Sequence, residues 1–189
     1  MEKKPSYKIL GIDPVTVIMG YPIIEVSGQT ITLLEMDSLP LRRQDSMYAR
    51  LQLIYEKVTQ LFNKFSPNYL AIESQFFGKN IQSMLKLGRA QGVAIAAAMQ
   101  AGLEVYEYTP KKIKQAITGN GNADKEQLWK MLQQLLQLDA WPPTFDASDA
   151  LAVAICHQYQ LTSPLPRTGK KASDWKTFIR ENKDRLIQK

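Results

Sequence analysis

Residues 8–26 read KILGIDPVTVIMGYPIIEV, two apolar runs of strand length joined across Asp13 and Pro14. The runs that flank this joint, YKILGI and VIMGYPIIEV, predict two β-strands, and a carboxylate stands where the first of them ends. Downstream, SGQT predicts a hairpin turn and ITLLEM a third strand returning antiparallel, so the chain opens as a three-stranded meander. Met47, Leu51, Ile54, Val58, Leu61 and Phe65 then recur at spacings of four and three, one face of a long helix that FSPN ends.

YLAIE is a short buried strand that again ends in an acid, Glu73. A helix rich in small residues follows from about Asn80 to Met99, where Gly88 and Gly92 leave room for another backbone or for simple packing on the sheet. EVYEYT predicts a fifth strand, Pro110 suits the first turn of a helix, and TGNGNAD separates that helix from one carrying Leu128, Leu132, Leu135 and Leu136. After the loop DAWPPTF, Asp146 opens a last core helix, DASDALAVAICHQYQ. The order predicts a mixed α/β fold, a meander followed by parallel crossovers, with no internal repeat.

The 189 residues, 44% of them hydrophobic, suffice for one globular domain, residues 1–161, with residues 162–189 as a basic linker and tail that holds a possible short amphipathic helix. No run approaches the roughly 20 apolar residues of a membrane span, and MEKKPSYK lacks the apolar centre of a signal peptide, so a cytoplasmic protein with no membrane partner is expected. The tail holds eight Lys and Arg against Asp174, Glu181 and Asp184, a balance of +5, whereas residues 1–161 hold 16 basic against 15 acidic side chains. Such a tail suits a polyanionic partner, nucleic acid first, or serves only as a solvated segment. The single Cys156 excludes an intramolecular disulfide and a cysteine-rich zinc site; it reads as a buried, inert thiol. His157, among Ala, Val and Ile, reads as structural.

Asp13, Glu73, Asp146 and Asp149 stand at comparable places, two at strand ends and two on one face of a helix start. Taken singly, Asp13 before Pro14 is also a turn former, Asp146 an N-cap and Asp149 a favourable charge at a helix N-terminus. Glu73 has no such local explanation. Four converging carboxylates repel one another unless protonated or bound to cations, and oxygen-only ligands select hard ions such as Mg²⁺ or Mn²⁺, whose usual task is phosphoryl chemistry.

ILGIDP followed by GY, AIESQFF with KNIQSMLKLGRAQGVAIAAA, EYTPKKIKQAITGNGNADKEQL and DASDALAVAICH resemble, in order and spacing, the RuvC-type Holliday junction resolvases over about residues 7–160. The resemblance implies a ribonuclease H-like fold of the retroviral integrase superfamily, a mixed five-stranded sheet flanked by helices. It implies a homodimeric, Mg²⁺-dependent endonuclease, with Mn²⁺ a plausible substitute and two ions per active site, that nicks four-way junction DNA and is coupled to the RuvA–RuvB branch-migration complex. The family's catalytic and metal-binding acids match Asp13, Glu73, Asp146 and Asp149. Its DNA-contacting lysines match Lys114 and Lys125, to which Lys111 and Lys112 are added as neighbours; the alternative for all four is exposed helix lysines. Phe76 matches an aromatic residue near the junction centre, where a ring can stack on an unpaired base; the alternative for Phe76 and Phe77 is core.

The family usually has Gly where this chain has Val15 and Pro22, which alters the backbone options beside Asp13 and removes an amide within a strand between two others. These departures motivate a second reading, a junction-binding protein without cleavage. GIDPVT is also similar to the first phosphate loop of sugar-kinase and actin-like ATPases, a third reading that lacks the second domain and second Gly-rich motif those enzymes need.

Overall fold

The computed structural model describes residues 6–14, 16–42, 46–74 and 80–163. Val15, Phe76 and Phe77, together with the basic tail from Pro164 onward, lie outside the described residues. The elements run β1 (Ser6–Ile12), β2 (Ile18–Ser27), β3 (Thr30–Pro40), α1 (Met47–Phe65), β4 (Tyr69–Glu73), α2 (Ile81–Gln100), β5 (Glu104–Tyr108), α3 (Pro110–Thr118), α4 (Lys125–Leu136) and α5 (Phe145–Thr162).

One five-stranded sheet has the order β3-β2-β1-β4-β5. The β1–β2 and β2–β3 pairs are antiparallel, as hairpin connections require, while β1–β4 and β4–β5 are parallel and reached by the helical crossovers α1 and α2. Successive strand side chains alternate between two cores. Ile9, Ile24, Val26 and Ala71 meet Leu128, Trp129, Leu132, Leu151 and Ile155 on one face. Leu10, Ile12, Ile23, Leu70 and Ile72 meet Ile54, Val58, Leu61, Ala94 and Ala98 on the other. The result is three layers, α1 and α2 over one face and α3–α5 over the other. In α5 every residue from Ala150 to Gln158 is buried, which explains its run of apolar residues without a polar face.

Two glycines set the distance between α5 and the sheet. A Cβ on Gly11 would lie 2.4 Å from the Ala150 carbonyl oxygen, and one on Gly20 2.0 Å from the Asp146 carbonyl oxygen. Both distances are far below contact, so the first turns of α5 rest directly on β1 and β2 because these positions lack side chains. Gly88 and Gly92 differ from this. A Cβ at either would meet nothing within 4 Å, so among the described residues no other backbone approaches them.

Pro22 is accommodated by its neighbour. The β1–β2 ladder runs from Ser6↔Ser27 to Leu10↔Ile23 and resumes only as the isolated bridge Asp13↔Gly20, leaving Gly11 facing Pro22. In an antiparallel strand alternate residues aim their polar groups at the same partner, so Pro22, two residues on from Gly20, turns its hydrogen-free nitrogen toward β1. Its ring occupies the space at Gly11, where an added Cβ would stand 3.0 Å from the ring Cγ. The proline therefore interrupts the ladder locally and leaves β2 continuous.

Local signals fix the helix ends. Ser46 caps α1 and Asn80 caps α2, while Thr109, with Pro110 behind it, caps α3. Asp124 and Gln127 form a reciprocal capping box on α4. The N-cap of α5 is Thr144, whose hydroxyl accepts from the Ala147 amide at 3.1 Å. Asp146 thus sits inside the first turn and does not cap the helix, because the hydroxyl two residues earlier has taken that place. Among the described residues no helix is long and apolar enough to cross a membrane.

Candidate active site

Ile12 pairs with Ile72 in the parallel β1–β4 ladder, so the next residues, Asp13 and Glu73, stand side by side at the carboxyl ends of adjacent strands, the usual ligand edge of such a sheet. The Asp13 amide also donates to the Gly20 carbonyl at 3.3 Å. Gly20 in turn touches the backbone of Asp146, so one residue ties the end of β1 to the start of α5. Asp146 and Asp149, three residues apart, face the same side of that helix.

All four carboxylates line one cavity of about 330 Å³, together with Lys114, Lys125, Pro110, Ile113 and Leu128. Among the described residues no three His, Cys, Asp or Glu side chains are closed up as a finished metal site. The four acids surround the cavity, and Lys125 Nζ donates to Asp149 Oδ2 at 2.6 Å. A second cavity of about 400 Å³ adjoins the first at Asp146 and is lined by Thr16, Val17, Ile18, Arg42 and Leu87.

The electrostatics follow from crowding. Burial, then the charges of Glu73, Asp149 and Asp146, hold the Asp13 carboxyl well above the usual carboxylate range, with Lys125 acting in the opposite direction. Burial and then Asp149 push Glu73 up to about 7, against the pull of Lys125 and Lys114. Burial pulls the Lys125 ammonium down, but its hydrogen bond to Asp149 and the charges of Asp149, Asp146 and Asp13 outweigh this and raise it. Oxygen-only donors that resist ionising together are the donor set a hard divalent cation fits, because such a cation supplies the missing positive charge.

The predicted lysines divide. Lys114 and Lys125 face the cavity. Lys112 instead places its ammonium 5.0 Å from the centre of the Tyr108 ring, and Lys111 lies against Gly121, whose Cβ would meet its Cγ at 2.8 Å. His157 is buried, with Nδ1 2.7 Å from the Tyr108 hydroxyl and its ring 4.4 Å from that of Tyr106. It belongs to the core on the α5 side, away from the carboxylates. Cys156 is buried as well, and burial pushes its thiol up to about 11, so it stays unreactive. Gly20, Thr144 and Arg42 were absent from the predicted set. A glycine inside a strand pattern was the available signal for Gly20, and Thr144 carried a capping signal that Asp146 overshadowed. Nothing local in the sequence singles out Arg42.

A mixed sheet in this order, with α5 laid across β1 and β2, defines a ribonuclease H-like protein with its acids at the sheet edge. The family model described as crossover junction endodeoxyribonuclease RuvC matches residues 9–157. Crossover junction endodeoxyribonuclease RuvC of Porphyromonas gingivalis is 48% identical over 181 residues, covering 94% of this chain and 96% of that one. The protein of the same name from Christiangramia forsetii is 47% identical over 178 residues, covering 94% and 92%. Thermus thermophilus RuvC, solved in complex with Holliday junction substrate, aligns with a TM-score of 0.77 at 32% identity over 82% of this chain and 94% of that one. The chain belongs to the RuvC family of crossover junction endodeoxyribonucleases, and it is an enzyme of the hydrolase class.

Proposed function

We propose that this chain resolves four-way DNA junctions by paired, metal-dependent hydrolysis of phosphodiesters, with Asp13, Glu73, Asp146 and Asp149 as the metal-holding catalytic acids. The observation that carries this reading is the meeting of four carboxylates from three elements around one cavity that also admits two lysines. Mg²⁺, or Mn²⁺ in its place, two ions to a site, would supply Lewis acidity and an activated water. The chain's own residues do the rest. Asp13 and Glu73 are carried by adjacent strands, and Asp146 and Asp149 by a helix whose backbone lies directly on Gly11 and Gly20. Lys114 and Lys125 offset phosphate charge and keep the scissile strand in place. Attack by water on phosphorus with departure of the 3′ oxygen leaves a 3′-hydroxyl and a 5′-phosphate.

Asp146→Asn tests the assignment. Removing one ligand charge is expected to lower cleavage by at least about 100-fold, while junction affinity in Ca²⁺ stays within a few-fold because phosphate contacts supply most of it. Undiminished cleavage overturns the role of Asp146.

Two symmetric strands call for two sites, and a homodimer provides them. The outward side of α2 suits a second copy: Ile81, Leu85 and Met99 are 71%, 52% and 64% exposed, and Gly88 and Gly92 lie between them with open space above. Leu85→Glu is expected to shift the protein toward monomer in sedimentation and to abolish paired nicking; an unchanged dimer would assign the contact elsewhere. The reading also includes cytoplasmic action with the RuvA–RuvB complex, a nuclease domain over residues 1–161, a basic tail over 162–189 that binds DNA, and Phe76 as a ring that stacks on an opened base. The resemblance, over about residues 7–160, supports the nuclease domain, the RuvA–RuvB coupling and the role of Phe76; the charge balance alone supports the tail, and the lack of a long apolar run supports the location.

A further inference from the structure

Lys125 is the first residue of α4, a position where a cation opposes the partial positive charge of the helix N-terminus. The helix itself gives no reason for a lysine there. Across the cavity, Asp149 supplies one: the Lys125 ammonium donates to its carboxylate at 2.6 Å, and the two side chains are 55% and 17% exposed. The lysine side chain thus lies about half in solvent, with its ammonium 6.0 Å from the centre of the Phe145 ring, while the acid has little room for a second cationic partner. Lys114 lines the same cavity, and among the described residues it makes no ion pair with any of the four acids. One lysine is therefore held by the acids and the other is not.

We propose that Lys125 is an internal counter-ion that occupies Asp149 until a divalent cation takes that carboxylate, and that the displaced ammonium then engages a DNA phosphate. The inference rests on the carboxylate site proposed above and adds a coupling between its two ligands. An ammonium and a divalent cation compete for the same oxygen, so metal uptake requires Lys125 to leave. Once it has left, its charge lies at the mouth of the cavity where a phosphate must enter. By linkage the junction then favours cation binding by the same factor that the cation favours the junction, about fivefold or more. With neither ligand present, the Lys125–Asp149 pair keeps one negative charge of the crowded cavity matched.

The test compares wild type with Lys125→Met, which keeps the stem and removes the charge; because the side chain is mostly exposed, the variant is expected to melt with the wild type. Binding of an immobile four-way junction is measured against salt in EDTA and again in Ca²⁺, which supports binding without cleavage. In EDTA the two proteins should give the same slope of log affinity against log salt. In Ca²⁺ the wild-type slope should be steeper by about 0.9, the release of one further counterion. A steeper wild-type slope in both conditions overturns the exchange, because Lys125 then reaches DNA without the cation; equal slopes in both overturn it because Lys125 never reaches DNA. Mn²⁺ binding without DNA, followed by electron paramagnetic resonance, should be tighter in Lys125→Met. A wild-type protein that binds no Mn²⁺ overturns the carboxylate site itself, whereas Mn²⁺ binding with either contrary slope pattern overturns only the exchange.

Discussion

Glu73 ends a buried strand with no local partner, and its carboxyl is pushed from 4.5 up to about 7. Between those two values the folded protein keeps a proton that the unfolded chain has lost, so stability is full below about 4.5 and falls as pH rises toward 7. Asp13, raised by burial and by the same neighbours, adds a loss of the same sign. In EDTA, the melting temperature should therefore decline from pH 4.5 to 7.5, and Glu73→Gln should decline less and melt higher than wild type at pH 8. Identical profiles for the two proteins would mean that Glu73 is not crowded. All four acids were legible in the sequence because each stands at the end of an apolar strand or in the opening turns of a helix that follows a breaker. Their surroundings were less so. The ion pair from Lys125 to Asp149 joins residues 24 apart in sequence, and no spacing rule links them. Lys112, two residues before Lys114, points to Tyr108 because a helix turns successive residues by about 100°; Lys111, one turn before Lys114, lies against Gly121 instead, a contact that no spacing rule foretells.

At the scale of elements, the apolar runs of β1 and β2 and the four- and three-residue spacing of α1 carried the fold, and the predicted order of strands and helices is the order of the chain. Which glycines serve packing was not legible. The paired Gly88 and Gly92 suggested a close approach and have open space, whereas Gly11 and Gly20, single residues within strands, admit the close backbone approach of α5. The difference is one of face: α2 turns its glycines outward, and the sheet turns its glycines toward the one helix that is buried along most of its length. Gly20→Ala must drive a methyl into the Asp146 backbone, so it should cost about 2 kcal/mol or more of stability and reduce cleavage further than the lost fraction of folded protein explains. Urea unfolding beside single-turnover cleavage separates the two effects, and a stable, fully active Gly20→Ala protein would show that α5 is not held by this contact. Pro22 shows a strand compensating for its own irregularity, since the missing amide faces a glycine and the sheet closes again at Asp13↔Gly20.

For the molecule as a whole, charge divides between a nearly neutral domain and a tail of +5. Deleting residues 164–189 should lower junction affinity and flatten its dependence on salt, because fewer counterions are released, while Mn²⁺ binding at the carboxylates is unchanged. An unaltered slope would remove the tail from the DNA contacts. The central claim is that the carboxylate cavity cuts four-way junctions with the help of a divalent cation. It is tested most directly by offering the wild-type protein a labelled four-way junction and a linear duplex of the same sequence, each in Mg²⁺ and in EDTA. Symmetric nicks in the junction that appear only with Mg²⁺, beside an intact duplex, are the predicted result; a junction that is bound and never cut, or a duplex cut as fast as the junction, would contradict it.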